Sequence, residues 1–448
     1  MLAVAIMAAG KGTRMKSSIP KVLQTISSKT LITRVIESFQ PLKPKRSFVI
    51  VGHQSELVIN SLKQHEGLEF VLQQPQNGTG HAIQQLTNEL ENFEGDLLVL
   101  NGDVPLISSH TLSNLVRSHT QNGSGATILT AYKNNPNGYG RVFVGKNGQV
   151  DNIKEDKDCN KEEAQNKLIN AGIYCFNWNK LQEVLPRLSA NNTQKELYIT
   201  DCISLIDNCT HIVVEDADEI DGINDQIQME SCNAKLQKKL RESWMKEGVK
   251  FIDGESCTLS DNCKFGKNVV IEPQTHFRGE CVVGDNSTIG PGSLIEDSNI
   301  GNWVTVKFSV IEKSYIGDKT QVGPYSHIRP RSSIEENCKI GNFVEIKKSI
   351  VGAGSKINHL SYIGDSTLGV DVNIGAGTIT ANYDGKFKHQ TIIGKETKTG
   401  ANSVLVAPLV LGERVTIGAG STITKDIPAG SLGIGRSKQQ IKNNWDKN

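Results

Sequence analysis

At 448 residues the chain is too long for one ordinary core, and roughly 150 residues per domain predicts two or three domains. Lys plus Arg number 49 against 48 Asp plus Glu, which excludes the basic field that non-specific nucleic-acid binding needs. Nine cysteines without a C-x-x-C pair argue against a disulfide framework or a zinc cage, and no run reaches the ~18 apolar residues of a membrane span, so a soluble, cytoplasmic protein is expected.

In chain order, apolar strand-like runs occur at Ala3 to Met7, Phe48 to Val51, Phe70 to Leu72, Leu97 to Leu100, Ala126 to Ala131 and Ala171 to Phe176. They alternate with helical patterns at Thr30 to Phe39 and Gly80 to Leu90, which predicts an α/β domain with a largely parallel sheet over residues 1–225. Met229, Cys232, Leu236, Leu240 and Trp244 then keep helical spacing on a lysine-rich background, predicting a linker helix within 226–250.

Beyond Phe251 the composition changes: 17 of the 42 glycines precede residue 251 and 25 follow it. Aliphatic or aromatic residues recur every six positions, as in Phe265, Ile271, Phe277, Val283, Ile289 and Ile295, again from Ile316 to Ile346, and again from Ile393 to Ile423. Small residues such as Thr275, Ser287, Ser293 and Thr320 follow four places after them. One inward residue in six fits neither an amphipathic helix nor alternating strands. It fits a three-faced parallel β-helix over 251–448, with coils of about 18 residues. Such hexapeptide repeats resemble the left-handed β-helix acyltransferases, and the handedness is implied by that resemblance.

The first strand ends in Ala8-Ala9-Gly10-Lys11-Gly12-Thr13-Arg14, a turn that offers backbone N–H groups and cationic side chains to phosphates, without Walker A or G-x-G-x-x-G spacing. Pro20-Lys21 follows, and the strand Leu97 to Leu100 runs into Asn101-Gly102-Asp103. The set resembles the sugar-nucleotide pyrophosphorylases, which implies a Rossmann-like nucleotidyltransferase domain. Ala8, Ala9, Gly10, Lys11, Arg14 and Lys21 would then face nucleotide and phosphate, and Asp103 would hold Mg²⁺, a cation that takes few protein carboxylates. Gln73, Gly78 and Thr79 resemble the uridylyltransferase branch; a glutamine amide offers one donor and one acceptor, matching uracil. By the same resemblance Gly140, Glu155 and Asn170 hold the sugar, and Asn224 both meets the sugar phosphate and joins Asp103 on the metal.

On the repeat region, Arg329 and Lys347 lie 18 residues apart and should stack as two cations able to grip a phosphate. His359 is the natural proton acceptor among ten histidines. The period breaks at Thr380 to Thr391, a polar excursion that could wall a pocket. These motifs, in order, are similar to the C-terminal half of the bifunctional N-acetylglucosamine-1-phosphate uridylyltransferase/glucosamine-1-phosphate N-acetyltransferase family, and the resemblance covers essentially the whole chain. It implies that Arg329, Lys347, Tyr362, Asn373, Asn382 and Tyr383 contact glucosamine 1-phosphate, with His359 catalytic and Glu345 supporting it. Ala376, Ala401, Ala419 and Arg436 would meet acetyl-CoA. The implied co-substrates are acetyl-CoA and UTP, the implied assembly is a homotrimer, and the product serves peptidoglycan and lipopolysaccharide synthesis. Met7 replaces the usual leucine and Ala401 a usual serine. Two competing readings make the prism a trimerisation spacer, or a metal site needing three convergent histidines among His276, His327 and His359.

Overall fold

The computed structural model describes residues 1–443 and 445. The chain divides into two compact units, Met1–Leu236 and Gln237–Asn448.

The first unit is built on β1 (Leu2–Met7), β2 (Arg46–Val51), β3 (Leu68–Leu72), β4 (Asp96–Asn101), β5 (Ala126–Tyr132), the hairpin β6 (Arg141–Val144) and β7 (Val150–Lys154), β8 (Leu168–Asn177) and β9 (Cys209–Val213). The strand order is β9-β5-β8-β4-β1-β2-β3, with the hairpin attached to β8. In β1 all of Ala3 to Ile6 are fully buried; Ala3 and Ala5 join the core on one side, Val4 and Ile6 that on the other. A strand covered on both faces reads as a continuous apolar run rather than an alternating one.

The helices are α1 (Leu31–Phe39), α2 (Ser55–Leu62), α3 (Thr79–Gln84), α4 (Ser109–Asn122), α5 (Trp178–Val184) and α6 (Gln226–Lys246). α1 starts where Thr30 accepts from the Thr33 N–H, and it buries Leu31, Ile32, Val35, Ile36 and Phe39 along one stripe. The sheet is largely parallel, as expected, with one inserted strand running the other way. β8 runs antiparallel to both β4 and β5, with a register shift between Asn170 and Tyr174. α6 occupies residues within the span read as a linker helix, and the division into units falls inside it. Cys232 and Leu236 are buried, while Leu240 and Trp244 pack on the core of the second unit.

The second unit is a parallel β-helix. Its three faces carry eleven, nine and nine strands among the described residues. The first face runs from Lys250–Phe251 to Leu432–Gly433, the second from His276–Arg278 to Thr422–Ile423, and the third from Asn262–Phe265 to Leu409–Leu411. The residues of the six-period form one stacked core, in which Ile289, Ile295, Ile316, Ile328, Ile334 and Ile346 are fully buried. Each fully buried isoleucine contributes on the order of 1.5–3 kcal/mol. Where the six-period breaks after Ile295, the buried series continues through Ile300, Val306, Ile311 and Ile316. Single corners there are one residue shorter. Thr288 pairs with Thr305, Thr305 with Gln321 and Gln321 with Lys339, so coil length varies without disturbing the stack. Thr399 stands in a core slot because its hydroxyl takes the Gly375 N–H at 2.8 Å.

Candidate active sites

The nucleotide residues named from sequence, Ala8, Ala9, Gly10, Lys11, Arg14, Lys21, Gln73, Gly78 and Thr79, all line one cavity of about 530 Å³. It lies at the carboxyl edge of β1 and β4, where an α/β sheet leaves backbone donors free. Gly12 has φ +57°, and a Cβ there would stand 2.8 Å from Lys21 Cβ, so a side chain would push the loop off the lysine.

Asp103 and Asn224 also line this cavity. The Ile223 N–H donates to the Asp103 carbonyl at 3.0 Å, which docks the 222–224 loop beside the end of β4. The Lys21 ammonium donates to Asp103 Oδ2, and to Asn224 Oδ1 at 3.2 Å; Arg14 donates to the same amide oxygen at 2.9 Å. Two acceptor oxygens thus converge on one cation.

A second cavity of about 220 Å³ is lined by Gly140, Glu155, Asn170 and Asn224, and it shares Met7, Thr79, Asn101, Asp103 and Asn224 with the first. The irregularity in β8 places Asn170 there: its Oδ1 accepts from Gly172 N at 3.0 Å and its Nδ2 donates to Tyr174 Oη at 2.6 Å. Burial raises the Glu155 carboxyl above the usual range, against a hydrogen bond from Thr200 at 3.1 Å. Sequence reading missed an ionic bridge beside this cavity. Asp221 accepts from Lys133, from Tyr139 Oη at 3.2 Å and from Lys235 at 2.5 Å. Tyr139 directly precedes Gly140 and Asp221 lies three residues before Asn224, so the neighbours of these two predicted residues carried the signal.

In the second unit His327 pairs with Glu345 and Ile328 with Ile346, which sets Arg329 and Lys347 on neighbouring coils. They line a cavity of about 350 Å³ with Pro330, Arg331, Lys348, Asp365 and Lys388. Arg331, Lys348, Asp365 and Lys388 were not expected; Lys388 is delivered by the excursion that breaks the six-period. Asn382, at 7% exposure, donates to Asp365 Oδ2 at 2.6 Å, and Lys348 lies 3.3 Å from Asp365 Oδ1. Glu345 accepts from Arg329 at 2.7 Å, so it is engaged there rather than with His359. The nearby Lys388 ammonium, ahead of burial, holds Lys347 below the ordinary lysine range.

His359 closes a strand of the first face and is exposed, outside that cavity. Its carbonyl accepts from Gly377, the Ala376 carbonyl from Asn402, and the Ala401 carbonyl from Gly420, so His359, Ala376, Ala401 and Ala419 form one strip along the corner between the first and second faces. A Cβ on Gly420 would lie 3.9 Å from Arg436 Cδ, which puts the exposed Arg436 at the end of this strip. Tyr362 lies on the second face, and Tyr383 is 61% exposed on the excursion. Asn373 belongs to the first face. Within one chain it is therefore not brought together with Arg329 and Lys347. Of the histidines considered for a metal, His276 bonds Thr258 and His327 bonds Glu312, and no group of three or more His, Cys, Asp or Glu side chains suited to a metal occurs among the described residues.

Fold and cavities together define a nucleotidyltransferase joined to a hexapeptide-repeat transferase. The family model for nucleotidyl transferase matches residues 3–217, that for bacterial transferase hexapeptide (six repeats) matches 262–297, and that for the GMPPB C-terminal domain matches 310–431. The chain is 58% identical over 445 residues to the Bifunctional protein GlmU of Synechococcus sp. (strain RCC307), covering 99% of each. It is 58% identical to that of Prochlorococcus marinus (strain MIT 9313), covering 99% of this chain and 100% of the relative. For Synechococcus elongatus (strain ATCC 33912 / PCC 7942 / FACHB-805) the figures are 53%, 99% and 98%. The chain belongs to the GlmU family of bifunctional enzymes, and its prism is the left-handed β-helix of the hexapeptide class.

Proposed function

We infer that the two units run successive steps of one synthesis. The protein makes UDP-N-acetylglucosamine: acetyl transfer from acetyl-CoA to glucosamine 1-phosphate, then uridylyl transfer from UTP to N-acetylglucosamine 1-phosphate with release of pyrophosphate, a product used in peptidoglycan synthesis. The observation that carries the assignment of the first unit is the convergence of Asp103 and Asn224 on the Lys21 ammonium, inside a cavity that shares lining residues with the one holding Glu155 and Asn170.

In the first unit the sugar phosphate already carries an anionic oxygen. It attacks the α-phosphorus of UTP in line, one P–O bond forms as another breaks, and pyrophosphate leaves. A general base has no proton to remove, so placement and charge neutralisation supply the catalysis. Lys11, Arg14 and Lys21 offset the phosphate charge. The hard oxygens of Asp103 and Asn224 fit Mg²⁺ and would hold it beside the phosphates. When bound, Mg²⁺ would add positive charge at the phosphates, beside the charge that Lys21 supplies. Gln73 faces uracil, and Gly140, Glu155 and Asn170 hold the sugar.

In the second unit Arg329 and Lys347, joined by Lys388, take the phosphate of glucosamine 1-phosphate, with Tyr362, Asn382 and Tyr383 around the sugar. The amine nitrogen bonds the acetyl carbonyl carbon and the thioester C–S bond breaks. His359 accepts the amine proton and passes it to the leaving thiolate. Ala376, Ala401, Ala419 and Arg436 line the corner that receives acetyl-CoA. Asn373 and this corner lie on different strips of the prism from Arg329 and Lys347, which favours a homotrimer in which neighbouring copies complete each site. A cytoplasmic location agrees with nine free cysteines, eight of them buried, and no described helix is long and apolar enough to cross a membrane.

The test is to incubate the protein with acetyl-CoA, glucosamine 1-phosphate, UTP and Mg²⁺ and follow UDP-N-acetylglucosamine, omitting one component at a time. Product formed without acetyl-CoA from glucosamine 1-phosphate alone would overturn the two-step reading. Sedimentation of the full chain tests the trimer.

A further inference from the structure

The phosphate cavity of the second unit is lined by five cationic side chains, Arg329, Arg331, Lys347, Lys348 and Lys388, and by one carboxylate, Asp365. An anion in the wall of a phosphate site repels the ligand, so its presence needs another reason. Asp365 is held between coils at 8% exposure: its N–H donates to the Lys347 carbonyl at 2.9 Å, and its carbonyl accepts from the Thr391 N–H at 3.3 Å.

Asp365 Oδ2 accepts from Asn382 Nδ2 at 2.6 Å. An ionised carboxylate only accepts, so this bond decides which end of the Asn382 amide is nitrogen. Among the described residues no donor meets Asn382 Oδ1, and that oxygen is not one of the buried unpaired atoms. Gly364 lets a second polar group come to the same spot. A Cβ there would stand 2.5 Å from Tyr362 Oη and 2.8 Å from Asn382 Nδ2. Gly364 pairs in register with Lys347, so the tyrosine and the amide gather beside the lysine that reaches the cavity.

We propose that Asp365 is a positioning residue for the sugar: its carboxylate fixes the Asn382 amide with the nitrogen towards Asp365, which leaves Oδ1 to accept from a hydroxyl or amine of glucosamine 1-phosphate. The inference rests on the reading that this cavity takes the phosphate of that substrate, and deepens it. Asp365 weakens the hold on the phosphate group through like charge and strengthens the hold on the sugar through the amide. The site thereby favours a sugar phosphate over free phosphate, because only the sugar brings a donor for Oδ1 to meet.

The experiment uses the full chain at neutral pH and reads two quantities for acetyl transfer, the KM for glucosamine 1-phosphate and the inhibition constant of inorganic phosphate competing with it. Asp365→Ala is expected to raise that KM about tenfold, the scale of a hydrogen bond to a charged group, while phosphate inhibits as well as or better than in the wild type. A merely structural loss weakens the sugar phosphate and phosphate together; that result overturns the proposal. Asp365→Asn keeps an oxygen for the Asn382 amide without the charge and is expected to recover most of the loss in KM. A KM as high as that of Asp365→Ala shows that charge rather than orientation is used, which also overturns it, even should Asp365→Ala fold poorly. In an Asn382→Ala background the amide is gone, so Asp365→Ala adds little further, and full additivity of the two substitutions counts against the proposal in the same way. Phosphate that fails to compete in the wild type removes the phosphate reading of the cavity and the proposal with it; competition in the wild type with any of the contrary results removes only the role of Asp365.

Discussion

Lys21 donates its ammonium to the carboxylate of Asp103, so a cation already stands where the first unit's oxygen donors meet. Both side chains are largely buried, at 16% and 19% exposure, which keeps the pair from solvent screening. Asp103→Asn preserves the shape of this contact and removes the charge. Pyrophosphate release from UTP is expected to fall at least a hundredfold at millimolar Mg²⁺, while acetyl transfer, followed by thiol release, continues. Near-wild-type uridylyl transfer in Asp103→Asn would remove Asp103 from the metal.

His359→Ala takes away the proposed proton acceptor of the second unit. Acetyl transfer is expected to drop on the order of 10²- to 10⁴-fold, the usual cost of losing a general base. Uridylyl transfer from supplied N-acetylglucosamine 1-phosphate stays at the wild-type rate. Equal loss of both activities with an intact oligomer would argue for a shared or obligatorily coupled site.

In its proposed role Lys347 can bind phosphate only while charged, and the Lys388 ammonium holds its pKa below the ordinary lysine value. A lowered pKa means that charge is lost at lower pH, so the KM for glucosamine 1-phosphate rises earlier on the alkaline side. Lys388→Ala removes the like charge, and the alkaline limb of that pH profile moves upward, even as KM at neutral pH increases through loss of one cation. A limb that stays in place or moves down contradicts the coupling of the two lysines.

Ile328 is fully buried in the stack and pairs with Ile346 on the next coil. Ile328→Ala leaves a cavity between coils, and a cost of about 2–5 kcal/mol is expected. Denaturant unfolding followed by circular dichroism reads the change, with acetyl transfer lost at lower denaturant than in the wild type. A cost below about 0.5 kcal/mol, the range of ordinary surface substitutions, would show that this coil is not close-packed.

Lys235 joins Asp218 at 2.6 Å and Asp221 at 2.5 Å from α6, and both carboxylates hold its pKa above the usual lysine value despite burial. Lys235→Met is expected to raise the KM for N-acetylglucosamine 1-phosphate several-fold with little change in kcat, since Asp221 also fixes Lys133 and Tyr139 beside the sugar cavity. A change confined to kcat would place Lys235 in the chemical step instead.

Local patterns determined much of this protein in advance. One inward residue in six, from Ile271 to Ile295 and from Ile316 to Ile346, can satisfy burial only on a three-faced coil, and a strand ending in Gly10-Lys11-Gly12-Thr13-Arg14 carries its phosphate-binding chemistry in adjacent residues. Contacts across coils and between loops were decided by the tertiary structure. A coil of 17 residues from Lys347 to Gly364 and one of 25 from Ser366 to Thr391 set which residues lie above one another, so the approach of Asp365 and Lys388 to Lys347 follows from stacking that no fixed period encodes. The same holds for Asn373, which its corner assigns to a different face from Arg329, and for β8, which enters antiparallel between β4 and β5. The physical reason is the same in each case: period and propensity act over a few residues, whereas hydrogen-bonded register and the meeting of charges depend on the summed length of every intervening turn.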